Sequence, residues 1–159
     1  MRYILMILAL AMFANITTAQ DNSSDACTPD QAQEAIEFYD DNDLNGEYDA
    51  IAAGIQEILD TRAYSDISEL LYDKVLFYSE YRRQVMSMDR CDLTRKLFDA
   101  YSLAYADRVM SIAILSAALE DSNNIDRWTD LLPNLDDQFT VNVLNVTLLY
   151  PIIEAIADE

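Results

Sequence analysis

The sequence predicts an all-α fold: a single-domain helical bundle of about five or six helices with one disulfide. Three observations point there. Apolar residues recur at three- and four-residue spacings along almost the whole chain, which is the period of a buried helix face. Only two glycines and three prolines punctuate 159 residues, too few for the many tight turns of a β fold. Cys27 and Cys91 are the only cysteines, an even pair that an oxidising compartment joins.

The elements follow in chain order. Residues 1–19 carry one basic residue, Arg2, then an apolar run over 3–14, then small residues ending at Ala19. That is the pattern of a secretory signal peptide. The run is shorter than the ~20 residues needed to cross a bilayer. The expected product is therefore periplasmic or secreted, with no stable membrane anchor after cleavage. Residues 20–27 read as a flexible acidic N-terminal segment, and residues 28–159 as the helical domain, long enough to bury a core.

Thr28, Pro29 and Gln31 form a helix start: N-cap, proline at the first helical position and capping-box glutamine. Residues 40–46 break that helix. Tyr48, Ile51, Ala52, Ile55 and Leu59 then make an apolar stripe on the second. A third helix is expected over residues 65–87 and a fourth over residues 89–120. Asp121, Ser122, Asn123 and Asn124 signal a turn into a short helix around Trp128 that stops before Pro133. The last segment is ambiguous, because residues 139–147 are β-branched and alternate as a strand would. They also satisfy a helical face, and a lone strand has no partner, so a helix kinked near Pro151 is expected. Its apolar residues nearly encircle the axis, which predicts a place at the centre of the bundle or at an interface.

The net charge is −19, and removal of Arg2 makes the mature chain one unit more negative. Such a field repels nucleic acid and anionic lipid. It is also segregated: residues 20–61 and 128–159 contain many acids and no Lys or Arg, and every basic residue beyond Arg2 lies between them. The acidic arm is expected to pack near the basic cluster of Arg82, Arg83, Arg90, Arg95 and Lys96, helped by the Cys27–Cys91 bridge.

The chain has no histidine. That removes histidine-based triads, the common catalytic zinc sets and the Glu-x-x-His signature of di-iron bundles. Cysteines joined in a disulfide are not thiol nucleophiles, and two glycines make no phosphate-binding loop. The expectation is a protein that is not an enzyme.

Asp41, Asp43, Asn45, Glu47 and Asp49 surround Gly46 between two expected helices. This run resembles the first nine positions of an EF-hand calcium loop, with oxygen donors at positions one, three, five and nine and glycine at six. The resemblance implies a weak calcium site. It departs from the family at position twelve, where Ala52 stands in place of the bidentate glutamate.

Ten tyrosines are the other notable feature. Tyr78 and Tyr81 beside Arg82 and Arg83 are the one place where aromatic and basic residues converge, and they are expected to form a partner-binding face. Asn145 begins a glycosylation acceptor pattern in a segment expected to be buried. The function expected from all this is an exported acidic helical protein that binds a protein partner, as an immunity, inhibitor or adaptor protein does. Charge selects a basic partner. The alternatives are the calcium-binding module at residues 41–49 and a small-molecule carrier with an interhelical pocket lined by tyrosine and methionine.

Overall fold

A computed structural model describes residues 26–159, so the leader and most of the acidic arm lie outside the described residues. The described chain is helical, with no strand. Its elements are α1 (Pro29–Asp41), α2 (Leu44–Thr61), a 3-10 turn (Tyr64–Asp66), α3 (Ile67–Val85), α4 (Asp92–Glu120), a second 3-10 turn (Ser122–Asn124), a short α5 (Ile125–Thr129) and α6 (Leu132–Ala157).

The start of α1 forms as its residues dictate. The Thr28 hydroxyl accepts from the Gln31 N–H at 3.3 Å, and the Gln31 side chain accepts from the Thr28 N–H at 3.1 Å. Two otherwise unpaired donors are satisfied reciprocally. Cys27 lies just before this cap and is bonded to Cys91, the N-cap of α4, with a Cα–Cα distance of 5.0 Å. The disulfide therefore ties together the starts of two helices.

The central element is α4. Leu97, Phe98, Tyr101, Ala104, Tyr105, Val109 and Ile112 are all within 1 % of full burial, and they occupy more than one face of the helix. Helix α6 makes its most extensive contacts with α4 and packs next against α1, while α3 covers another side of α4. Of the two expected placements of the last helix, the centre of the bundle is overturned: α6 buries only Val146 and Ile153 fully, and Val141, Leu144, Leu148, Ile152 and Ala155 are exposed. An axis ringed with apolar residues marks a central helix only if neighbours exist on all sides, and α4 has taken that position.

The segment 139–147 is helix, and α6 continues through Pro151. The short α5 stops at Thr129, before Pro133 as expected, and Pro133 lies in the first turn of α6, where a proline loses no hydrogen bond. The α1–α2 break is also tighter than expected. Asn42 and Asp43 alone reverse the chain, with Asp43 in the left-handed region at φ 45°, a conformation that aspartate tolerates.

Tyrosine supplies the largest side chains of the core. Tyr39, Tyr48, Tyr78, Tyr81, Tyr101 and Tyr105 are buried and meet edge-on, tilted or stacked, as in Tyr81–Tyr101 at 4.8 Å, Tyr48–Tyr101 at 5.2 Å and Tyr78–Tyr105 at 5.7 Å between ring centres. Such offset pairs stabilise a core beyond the area they bury. Tyr81 donates to the Phe98 carbonyl at 3.0 Å, and Tyr105 to the Lys74 carbonyl at 3.1 Å.

Candidate functional site

The outward face of α6 carries Val141, Leu144, Leu148 and Ile152, each between 49 % and 59 % exposed. Their spacing of three, four and four residues puts them on one line along the helix. Behind them Val146 and Ile153 are buried against the bundle, so the line is a second apolar face on a helix whose first is already satisfied. Single exposed leucines are ordinary on a protein surface, whereas a continuous row marks a contact site.

Acids lie beyond both ends of the row. Helix α6 contains Asp136, Asp137 and Glu154 and is followed by Asp158 and Glu159, with no Lys or Arg. Helix α1, which packs beside it, contains Asp30, Glu34, Glu37, Asp40 and Asp41, also without a base. The two base-free ends of the sequence thus meet in space. Tyr150 joins them by donating to both Asp40 carboxylate oxygens, at 2.9 and 3.0 Å. Burial first, then this hydrogen bond, pushes the Tyr150 hydroxyl up to about 12. Arg108 of α4 reaches the start of α6, where it lies 3.6 Å from the centre of the Phe139 ring and donates to Asp136 at 2.7 Å. Asn142 donates to Asp107 of α4 at 3.0 Å. Burial raises the Asp107 carboxyl above the usual carboxylate range, partly offset by that hydrogen bond. These polar contacts fix the rotation of α6 and so hold the apolar row outward.

The residues expected to bind calcium are placed differently from an EF-hand. Asp41 ends α1, Asp43 caps α2, and Asn45, Glu47 and Asp49 lie within α2. The Asp43 side chain accepts from the Gly46 N–H at 3.3 Å. It sits so close over Gly46 that a Cβ there would meet it at 2.3 Å. Gly46 is therefore a cap requirement and not the hinge of a loop, and its φ is negative. Asn45 accepts from the Tyr39 hydroxyl at 2.9 Å, and Glu47 pairs with Lys74 at 3.0 Å, linking α2 to α3. Among the described residues no three acidic or thiol side chains converge on a metal-sized position. The twelve-residue calcium loop is replaced by a two-residue turn and a helix.

The expected tyrosine–arginine face is corrected as well. Tyr78 and Tyr81 are 2 % and 3 % exposed and belong to the core. Arg82 is half-buried, and Arg83 extends along its own helix to pair with Glu80. That exposed pairing holds the Glu80 carboxyl down at about 2. Both tyrosines lie on the packed side of α3, and the Tyr81 hydroxyl needs no water because it donates to the Phe98 carbonyl. A small cleft between α2, α3 and α4 is lined by Ile55, Ile58, Leu59, Ile67, Leu70, Ile112 and Leu115 and has a volume of about 10 Å³, room for one water-sized group.

The α6 row was not singled out in the sequence, where its members were absorbed into an encircling apolar pattern. The signal that marks them is subtractive. Once Phe139, Val143, Val146, Leu149, Tyr150, Ile153 and Ile156 are assigned inward, these four remain on one line. Asn145, expected to be buried, is exposed beside them. Comparison with known protein families, curated sequences and solved structures returns no match.

Proposed function

We propose that this chain is an exported, non-catalytic binding protein that holds a basic protein partner against the α6 face, as an immunity, inhibitor or adaptor protein does. The observation that carries the reading is the exposed row Val141, Leu144, Leu148 and Ile152 on a helix that, like the neighbouring α1, carries acids and no bases. Apolar contact supplies affinity, and the acidic frame steers a cationic partner while repelling acidic ones. Export is supported by the leader-like residues 1–19 and suits the Cys27–Cys91 disulfide. A binding role also fits a chain without histidine whose tyrosines are held protonated by burial.

A photo-cross-linking residue at Leu148, introduced in cells of the source organism, tests this. The expected result is one adduct from position 148 and none from Leu76, an equally exposed leucine on α3. The purified, mass-identified partner should then bind the wild-type chain and not the Leu144→Glu/Leu148→Glu variant. Adducts from Leu76 alone, or a partner that binds the double variant undiminished, would contradict the proposal.

A further inference from the structure

We infer that the partner element recognised by α6 is a cationic amphipathic helix lying along the Val141–Leu144–Leu148–Ile152 row; this rests on the binding reading above and names the chemistry of the partner. The row is one side chain wide and spans twelve residues of helix, roughly 16 Å from first to last. Its three-four-four spacing is the seam that one helix offers to another at a shallow crossing angle. A flat sheet or a loop would leave most of so narrow a line uncovered, whereas a helix laid alongside covers it by interdigitation.

The size of the row argues for charge as the second contribution. Four half-exposed aliphatic side chains make a patch on the order of a few hundred Å², well below the ~800 Å² per partner that a stable interface buries. A second copy of this chain would close the row but bring together two α1–α6 sides, neither of which contains a base to pair with the other's acids. Lys or Arg near the two ends of a partner helix meets Asp137 at one end of the row and Glu154 and Asp158 at the other, and Lys or Arg along its edge meets the α1 acids. The complex is then heterologous, and its affinity falls as salt rises.

The test uses a designed amphipathic peptide of about 16 residues, long enough to follow the row, made of Leu and Lys, and its counterpart with Glu in place of Lys. Each is titrated calorimetrically into the full mature chain. The Leu/Lys peptide should bind, weaken at least about tenfold in Leu144→Glu/Leu148→Glu and weaken with salt. The Leu/Glu peptide should not bind, and Leu76→Glu should behave as wild type. Circular dichroism confirms that these surface variants keep their helices. Equal binding of the two peptides, binding unchanged by the α6 substitutions, a dimer of the free chain in sedimentation, or co-sedimentation with neutral phosphatidylcholine vesicles would each overturn the inference. If the peptide fails to bind while cross-links from Leu148 still capture a specific protein, only the helix chemistry falls and the binding reading stands.

Discussion

The hydroxyls of Tyr48 and Tyr101 are buried with no hydrogen-bond partner among the described residues. Each belongs to the aromatic cluster that α4 organises, and their rings meet at 5.2 Å. Leaving such a group unpaired costs about 1–3 kcal/mol, so Tyr101→Phe should leave stability unchanged or raise it by up to about 1 kcal/mol in urea denaturation. Tyr81→Phe should instead cost about 1 kcal/mol, because its hydroxyl donates to the Phe98 carbonyl. Equal losses at Tyr81 and Tyr101 would show that the Tyr101 hydroxyl is paired after all. The sequence counted these tyrosines and their helical spacing. It could not tell which hydroxyl would find a carbonyl, since that depends on which turn of a neighbouring helix lies opposite.

At the scale of elements, the helix starts were legible where local chemistry decides them. The capping box at Thr28 and the stop at Glu120 lie where their residues put them. Helical rotation was less legible. On α2, Ile58 is buried while Leu59 is 41 % exposed and Ala52 lies on the surface, because the face that packs is chosen by α3 and α4, not by the local stripe. Gly54 reflects the same choice: a Cβ there would stand 3.1 Å from Leu70, so glycine permits the close approach of α2 and α3. The largest departure is α6, whose apolar residues serve two faces with different roles. Leu148→Glu is therefore expected to change unfolding stability by no more than about 0.5 kcal/mol, while Ile153→Ala should cost about 2–5 kcal/mol. Comparable losses would mean that both faces are buried.

Across the whole molecule, covalent and electrostatic effects act on the same packing. The disulfide closes a loop with a sequence separation of 64, which the chain-entropy description values at about 4 kcal/mol. Reduction should therefore lower the melting temperature by about 10 °C or more. Burial raises the hydroxyls of Tyr39, Tyr48, Tyr81, Tyr101 and Tyr105 well above their ordinary value of 10.0, and that of Tyr150 to about 12. Above pH 10 the unfolded chain has released these protons and the folded chain still holds them. Stability is thus complete below pH 10 and falls as pH rises through the folded-state values. Phenolate absorbance equivalent to Tyr39, Tyr48, Tyr81, Tyr101 and Tyr105 should appear together with loss of helical ellipticity; the full phenolate absorbance of the chain while it is still helical would place these tyrosines at the surface. The charge pattern, read along the chain as two acidic ends and a mixed middle, becomes an acidic α1–α6 side because those helices pack together. Carbene footprinting of the intact purified chain tests that arrangement most directly. Heavy labelling of Val141, Leu144, Leu148 and Ile152 with little on Val146 and Ile153 is the expected outcome; protection of the first four, or even labelling along the whole helix, would contradict it.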